Sequence, residues 1–175
     1  LRGLGANFNM APVLDVNIEP MNPIIGNRSY GDDPQRVADV GCAVMEGMVE
    51  GGVIATLKHY PGHGNVNTDS HLDLPVNHTD PAVLEKTEFL PFQQAFRRGA
   101  PALMSCHIVF PKIDPDLPAT LSPAIIGDLL RKKQGFDGLV FTDCMEMDAI
   151  QRGWGMARGA VLAVAAGCDV LCISH

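Results

Sequence analysis

Apolar positions along this chain alternate between short continuous runs and longer stretches of helical period, the patterns of buried strands and of amphipathic helices. Residues 7–16, NFNMAPVLDV, predict a strand that ends near Asp15. The segment IEPMNPIIGNRSYGDDP carries three prolines and two glycines and predicts a long loop. Asp33-Pro34 then predicts a helix start, with Asp as N-cap and Pro at the first helical position. Val37, Val40, Gly41, Val44, Met45 and Met48 share one face of that helix, and Gly51-Gly52 ends it. Residues 53–59 predict the next strand. Asp80-Pro81 repeats the start signal for a helix to about Glu88, and Pro91 starts or kinks another that carries Phe92 and Phe96 as far as Gly99. Residues 102–107 predict a strand, followed by a proline-rich loop to Thr120. Ser122-Pro123 opens a helix with Ile126, Leu129 and Leu130 facing inward. Residues 138–143 predict a strand, 158–167 a helix of small residues, and 169–173 a last strand.

Strands separated by helices imply parallel pairing with right-handed crossovers. Such βα units fit either a doubly wound sheet or part of a barrel. No G-x-G-x-x-G follows the first strand and no G-x-x-x-x-G-K-[ST] is present, so nucleotide-binding open sheets lose weight. Four strands deliver polar residues at their ends: Asp15, Lys58-His59, His107 and Asp143. Chemistry spread over several strand ends favours the (β/α)8 TIM-type barrel. A whole barrel takes about 250 residues. At 175 residues, beginning at Leu1 and ending just past a strand, the chain is expected to be an incomplete barrel. It reads as part of one catalytic domain, truncated at both ends, whose open sheet edges predict poor solubility for the piece alone.

Composition narrows the partners. With 13 Lys+Arg against 20 Asp+Glu the net charge is −7, which argues against a large nucleic-acid footprint. No apolar run approaches the ~20 residues that span a bilayer. The five cysteines have no metal-ligand spacing and sit in apolar contexts. Buried free thiols in a reducing, cytoplasmic compartment are the expectation, with export of the parent protein left open.

The densest chemistry lies in residues 53–75, VIATLKHYPGHGNVNTDSHLDLP, where an apolar run ends in Lys58-His59 and a glycine-punctuated loop follows. Asp69 and His71 stand two apart, a spacing that lets a carboxylate hold one ring nitrogen while the other transfers a proton. The alternative is an ordinary solvated loop. An unpaired ammonium is costly in a core, so Lys58 and His59 point to a site that binds hydroxyls or an anion. Arg28 could reach the same mouth or be a solvated loop cation. Asp143, ending an apolar strand, is either a nucleophile or base or a cap for the next helix. His107 either lines the site or is a satisfied core histidine, and the core reading is preferred. His59, His63, Asp69, His71 and Asp73 could together ligate zinc, but no H-E-x-x-H is present and Lys58 would repel a cation; no metal and no cofactor are expected. Gly62 and Gly64 suggest a deformable loop that closes over a ligand.

KHYPGHGNVNTDSHLDLP, taken with FNMAPVLDVN, GNRSYG and LVFTDCMEMDAI, resembles the family 3 glycoside hydrolases, in particular the bacterial β-N-acetylglucosaminidase branch. The resemblance covers nearly the whole chain, with the four motifs in the family's order. It implies a (β/α)8 barrel of which this chain spans about strands 3 to 7. It further implies Asp143 as nucleophile, His71 as acid/base with Asp69 as its partner, and Arg28, Lys58 and His59 as contacts to sugar hydroxyls. Cys144-Met145-Glu146-Met147 departs from the Asp-Leu-Ser-Met of some members after the nucleophile. The expected activity is retaining, exo-acting removal of terminal β-linked GlcNAc from peptidoglycan fragments or chitin oligosaccharides. The alternatives are a β-N-acetylglucosaminide phosphorylase using the same residues, a β-glucosidase of the same family, and an inactive sugar-binding fragment. The expected partner is a GlcNAc-containing carbohydrate.

Overall fold

The computed structural model describes residues 1–66 and 74–174. Its framework is a parallel sheet of five strands, in the order β1 (Phe8–Asn9), β2 (Ile54–Tyr60), β3 (Ala102–Ser105), β6 (Leu139–Cys144) and β7 (Val170–Cys172). The connections run through α1 (Pro34–Glu50), α2 (Pro81–Leu84), α3 (Phe89–Arg97), a π-helical segment Pro123–Lys133, α4 (Asp148–Gln151) and α5 (Met156–Ala166). A short antiparallel pair, β4 (Val109–Phe110) with β5 (Asp114–Pro118), sits outside the main sheet. This is an incomplete (β/α) barrel, as expected.

Strand alternation splits the apolar residues into two layers. Ala55, Leu57, Leu103 and Val140 face the helices in one large core with Met45, Phe92, Ile126 and Ile150. Ala102, Met104 and Phe141 face the other way, with Phe8, Val170 and Cys172 packed against them. The Phe8 and Phe141 rings stand 4.9 Å apart across that inner layer. The outer core is thick because helices cover it.

Several start signals act as predicted. The Asp33 carboxylate accepts from the Gln35 and Arg36 amides, at 2.7 and 3.1 Å, and Pro34 is the first helical residue. Ser122 caps the π-helical segment through the Ile125 amide. Asp80 precedes α2 but makes no side-chain cap; it pairs with Lys112 at 2.7 Å instead. On α1, Ala38 and Cys42 are buried and Val40 is 38% exposed, so the buried stripe is rotated from the predicted one.

Other expectations need correction. The 7–16 run lies along β2, with Thr56 bonding Ala11 and Leu14 bonding Lys58, but only Phe8–Asn9 is a regular strand. Pro12 has no N–H to give, so the ladder is interrupted there and resumes as a bridge at Val13. The stretch read as a proline-rich loop contains β4 and β5, because its prolines occupy an edge pair that tolerates them. In this pair the Val109 carbonyl accepts from the Asn77 amide, which anchors the chain just after residues 67–73. The α4 turn after Asp143 is also additional to the predicted elements. All five cysteines are thiols; Cys42, Cys106 and Cys168 are buried, and Cys144 and Cys172 half-buried.

Candidate active site

The C-terminal ends of β2 and β6 meet the long loop after β1 in a pocket of about 160 Å³ lined by Arg28, Lys58, His59, His63, Asp143, Met10, Ile24 and Met104. Four of the six residues singled out from sequence, Arg28, Lys58, His59 and Asp143, are thus brought together. The other two, Asp69 and His71, lie outside the described residues, as does Asp73.

Local structure explains how adjacent residues reach one pocket. On a regular strand Lys58 and His59 would face opposite sides, but the β2–β3 register shifts between Lys58 and Tyr60, a bulge that re-aims side chains. The Lys58–His59 peptide is cis. Arg28 is held over the pocket by a short 3-10 turn, Gly26–Arg28, and bonds the Ile24 carbonyl at 3.2 Å.

Asp143 does not cap a helix. The α4 turn starts five residues on, from Met147, with no side-chain cap, and one Asp143 oxygen accepts the Cys144 amide at 2.8 Å. The other oxygen lies 4.0 Å from His59 Nε2. Burial alone would push this carboxyl up, but electrostatic attraction to the His59 and His107 imidazoles and the bond from the Cys144 amide outweigh it and hold the pKa below its ordinary value. The group is therefore a carboxylate at neutral pH. Burial, reinforced by the neighbouring Arg28 charge, lowers the Lys58 ammonium, with Asp143 and Asp15 opposing.

Asp15, which sequence reasoning treated only as a strand end, is the hub beneath the pocket. It is fully buried. Its Oδ1 accepts the His59 and His63 amides at 3.1 and 2.7 Å, and its Oδ2 meets His59 Nδ1 at 2.6 Å. Burial would raise this carboxyl, yet electrostatic attraction to the His59 imidazole, the hydrogen bonds from His59 and attraction to the His63 imidazole keep it lowered. The signal available in the sequence was an acid inside an apolar run, which is rarely buried unless paired.

His63 is nearly fully buried and its carbonyl accepts from Asn22 at 2.7 Å. Burial lowers its ring pKa, with Asp15 opposing and His59 adding to the effect. Among the described residues no group of three or more His, Cys, Asp or Glu is arranged to hold a metal ion. His107 is not among the residues that line the pocket: Nδ1 meets Thr120 Oγ1 at 2.8 Å and Nε2 the Cys144 carbonyl at 2.9 Å. It is the satisfied core histidine that sequence reasoning preferred.

Gly62 and Gly64 have a packing role. A Cβ on Gly62, whose φ is +145°, would come 2.6 Å from Glu88 Cβ, and one on Gly64 would run into the Val16 carbonyl. These glycines permit close packing at the base of the loop, against the Glu88 side chain and the Val16 carbonyl. The Glu88 side chain also accepts from Asn65 at 3.1 Å and Asn77 at 3.4 Å, on either side of residues 67–73.

Known proteins resemble this chain along its whole length. A β-hexosaminidase of Xylella fastidiosa (strain 9a5c) is 41% identical over 176 residues, covering 100% of this chain and 51% of that protein. The chain thus spans about half the length of such relatives. The structure of a glycoside hydrolase family 3 β-N-acetylglucosaminidase from Paenibacillus sp. str. FPU-7 superposes with TM-score 0.99 at 48% identity, over 100% of this chain and 34% of that one. NagZ from Neisseria gonorrhoeae, in complex with N-trifluoroacetyl-D-glucosamine, superposes with TM-score 0.87 at 34% identity, over 98% of this chain and 48% of that one. Residues 1–175 match the glycosyl hydrolase family 3 N terminal domain, and the chain belongs to that family.

Proposed function

We propose that this chain supplies the sugar-cleaving site of a retaining exo-β-N-acetylglucosaminidase that acts on GlcNAc-containing oligosaccharides or muropeptides. One observation carries the reading: a carboxylate at a strand end, Asp143, faces a pocket rimmed by Arg28, Lys58 and His59. The similarity to β-hexosaminidases and the GlcNAc analogue bound to the Neisseria relative support the choice of sugar.

Asp143, ionised and with one oxygen tied to the Cys144 amide, attacks the anomeric carbon with its pocket-facing oxygen. The bond to the leaving oxygen breaks as that oxygen takes a proton, leaving a glycosyl ester on Asp143. Water then attacks the anomeric carbon, gives up its proton, and displaces the Asp143 carboxylate as the C–O bond to it breaks. By sequence resemblance the proton donor and acceptor is His71, oriented by Asp69; an imidazole with reference pKa of ~6.5 suits a group that both gives and takes a proton near neutrality. Lys58, Arg28 and His59 hold sugar hydroxyls.

The test uses the full-length protein and nitrophenyl β-GlcNAc and β-glucose, with and without phosphate. Preference for β-GlcNAc, lost in Asp143→Asn and cut heavily in His71→Ala, is the expected result. Inactivity on both sugars, or unimpaired turnover in Asp143→Asn, would overturn the reading. Phosphate-dependent release of GlcNAc-1-phosphate would convert it to a phosphorylase.

A further inference from the structure

The three bonds of Asp15 divide between its two oxygens. Among the described residues, Oδ1 takes two backbone amides, those of His59 and His63, and Oδ2 takes the His59 ring, at Nδ1. A carboxylate accepts and does not donate, so Nδ1 carries a proton. On the opposite side of the ring, Arg28 Nη2 stands 3.5 Å from Nε2. A guanidinium only donates, so Nε2 turns its lone pair toward Arg28, across a contact long enough for a substrate hydroxyl to take its place. Both restrictions select the neutral Nδ1–H imidazole. The nitrogen left as acceptor is the one 4.0 Å from the Asp143 Oδ2 atom.

We propose that Asp15 is a positioning residue that fixes His59 in the Nδ1–H tautomer, so that Nε2 accepts a hydrogen bond from a substrate hydroxyl and donates none to Asp143. This rests on the pocket being the sugar site. A protonated Nε2 would offer its N–H to the attacking oxygen of Asp143 and blunt its nucleophilicity. It would also set two donors, Nε2–H and Arg28, against each other. With Nε2 bare, Asp143 keeps its lone pairs for the anomeric carbon, and His59 distinguishes a hydroxyl that points its hydrogen inward.

The decisive experiment measures the His59 ring nitrogens by long-range 1H–15N correlation at neutral pH in the histidine-labelled full-length protein, with His59→Gln used for assignment. The expected spectrum has a protonated Nδ1 and a bare Nε2. Asp15→Asn keeps a carbonyl oxygen for the two backbone amides and replaces only the atom facing Nδ1, turning that acceptor into a donor. The ring is then expected to switch to Nε2–H, and kcat/KM on nitrophenyl β-GlcNAc to fall about 10- to 100-fold, the usual loss when a partner that orients a functional histidine is removed. An Nε2–H or doubly protonated ring in the parent, or an unchanged tautomer in Asp15→Asn, overturns the assignment. The parent spectrum decides it alone if Asp15→Asn does not fold. A parent inactive on every glycoside would remove the sugar reading, while the spectra still decide the tautomer.

Discussion

His59 and His107 stand at the C-terminal ends of neighbouring parallel strands, and both are buried. They have opposite fates. His59 leans on a carboxylate through one nitrogen and turns the other into the pocket, towards Arg28 and Asp143. His107 has a threonine hydroxyl on one nitrogen and a backbone carbonyl on the other, so its ring is consumed by the core. The residue type and the strand position are shared; the partner's chemistry decides the outcome. A side chain serves a site when its support occupies one face only.

The comparison can be broken first at the atom His59 faces. Asp143→Asn is expected to lower kcat at least about 10³-fold, the scale seen when a nucleophile is removed; single-turnover kinetics on an activated β-GlcNAc substrate measures it. Next comes the support. Asp15→Ala deletes the acceptor of three buried bonds and leaves two amides and an imidazole unpaired, at a cost of about 3–5 kcal/mol. Urea unfolding of the full-length protein checks this, and a loss below that of His107→Phe would show that Asp15 is not the hub. Gly64→Ala forces a methyl into the Val16 carbonyl and should cost about 3 kcal/mol, with activity lost as the loop base shifts.

Smaller effects sharpen the contrast. His107→Phe leaves Thr120 and the Cys144 carbonyl short of a partner, at about 1–3 kcal/mol, yet kcat/KM should stay close to the parent's once folded. A large catalytic loss there, with stability unchanged, would place His107 in the site after all. The gentlest probe is pH. Asp15 and Asp143 both titrate lower when folded, so their contribution is complete above the ordinary carboxyl range of ~4 and drains away as pH falls through the folded values. Thermal melts below pH 5 should therefore drop less steeply in Asp143→Asn than in the parent.

Much of this architecture was legible because its signals are local. Helix starts at Pro34 and Pro123 follow from a side chain capping amides two or three residues away. The strand ends could be read as a functional rim because four polar groups followed apolar runs. The hairpin of β4 and β5 was hidden by its prolines, whose cost depends on whether a strand is central or at an edge. The rotation of the α1 stripe was hidden as well, since Val40 and Cys42 are both apolar and only neighbouring elements choose between them.

By itself the sequence determined the alternating α/β order, the parallel barrel class, and the set of polar residues able to meet at one rim, all consequences of chain-local periodicity and motif. Only the tertiary structure decided which of those residues face the pocket. The Asp15–His59 contact joins residues 44 apart in the chain, and the His107–Cys144 contact residues 37 apart. It also set the loop-base glycines against Glu88 and Val16, contacts that no local pattern announces. In each case the reason is the same: burial makes a polar group's function depend on the partner that satisfies it, and that partner is set by packing between distant segments.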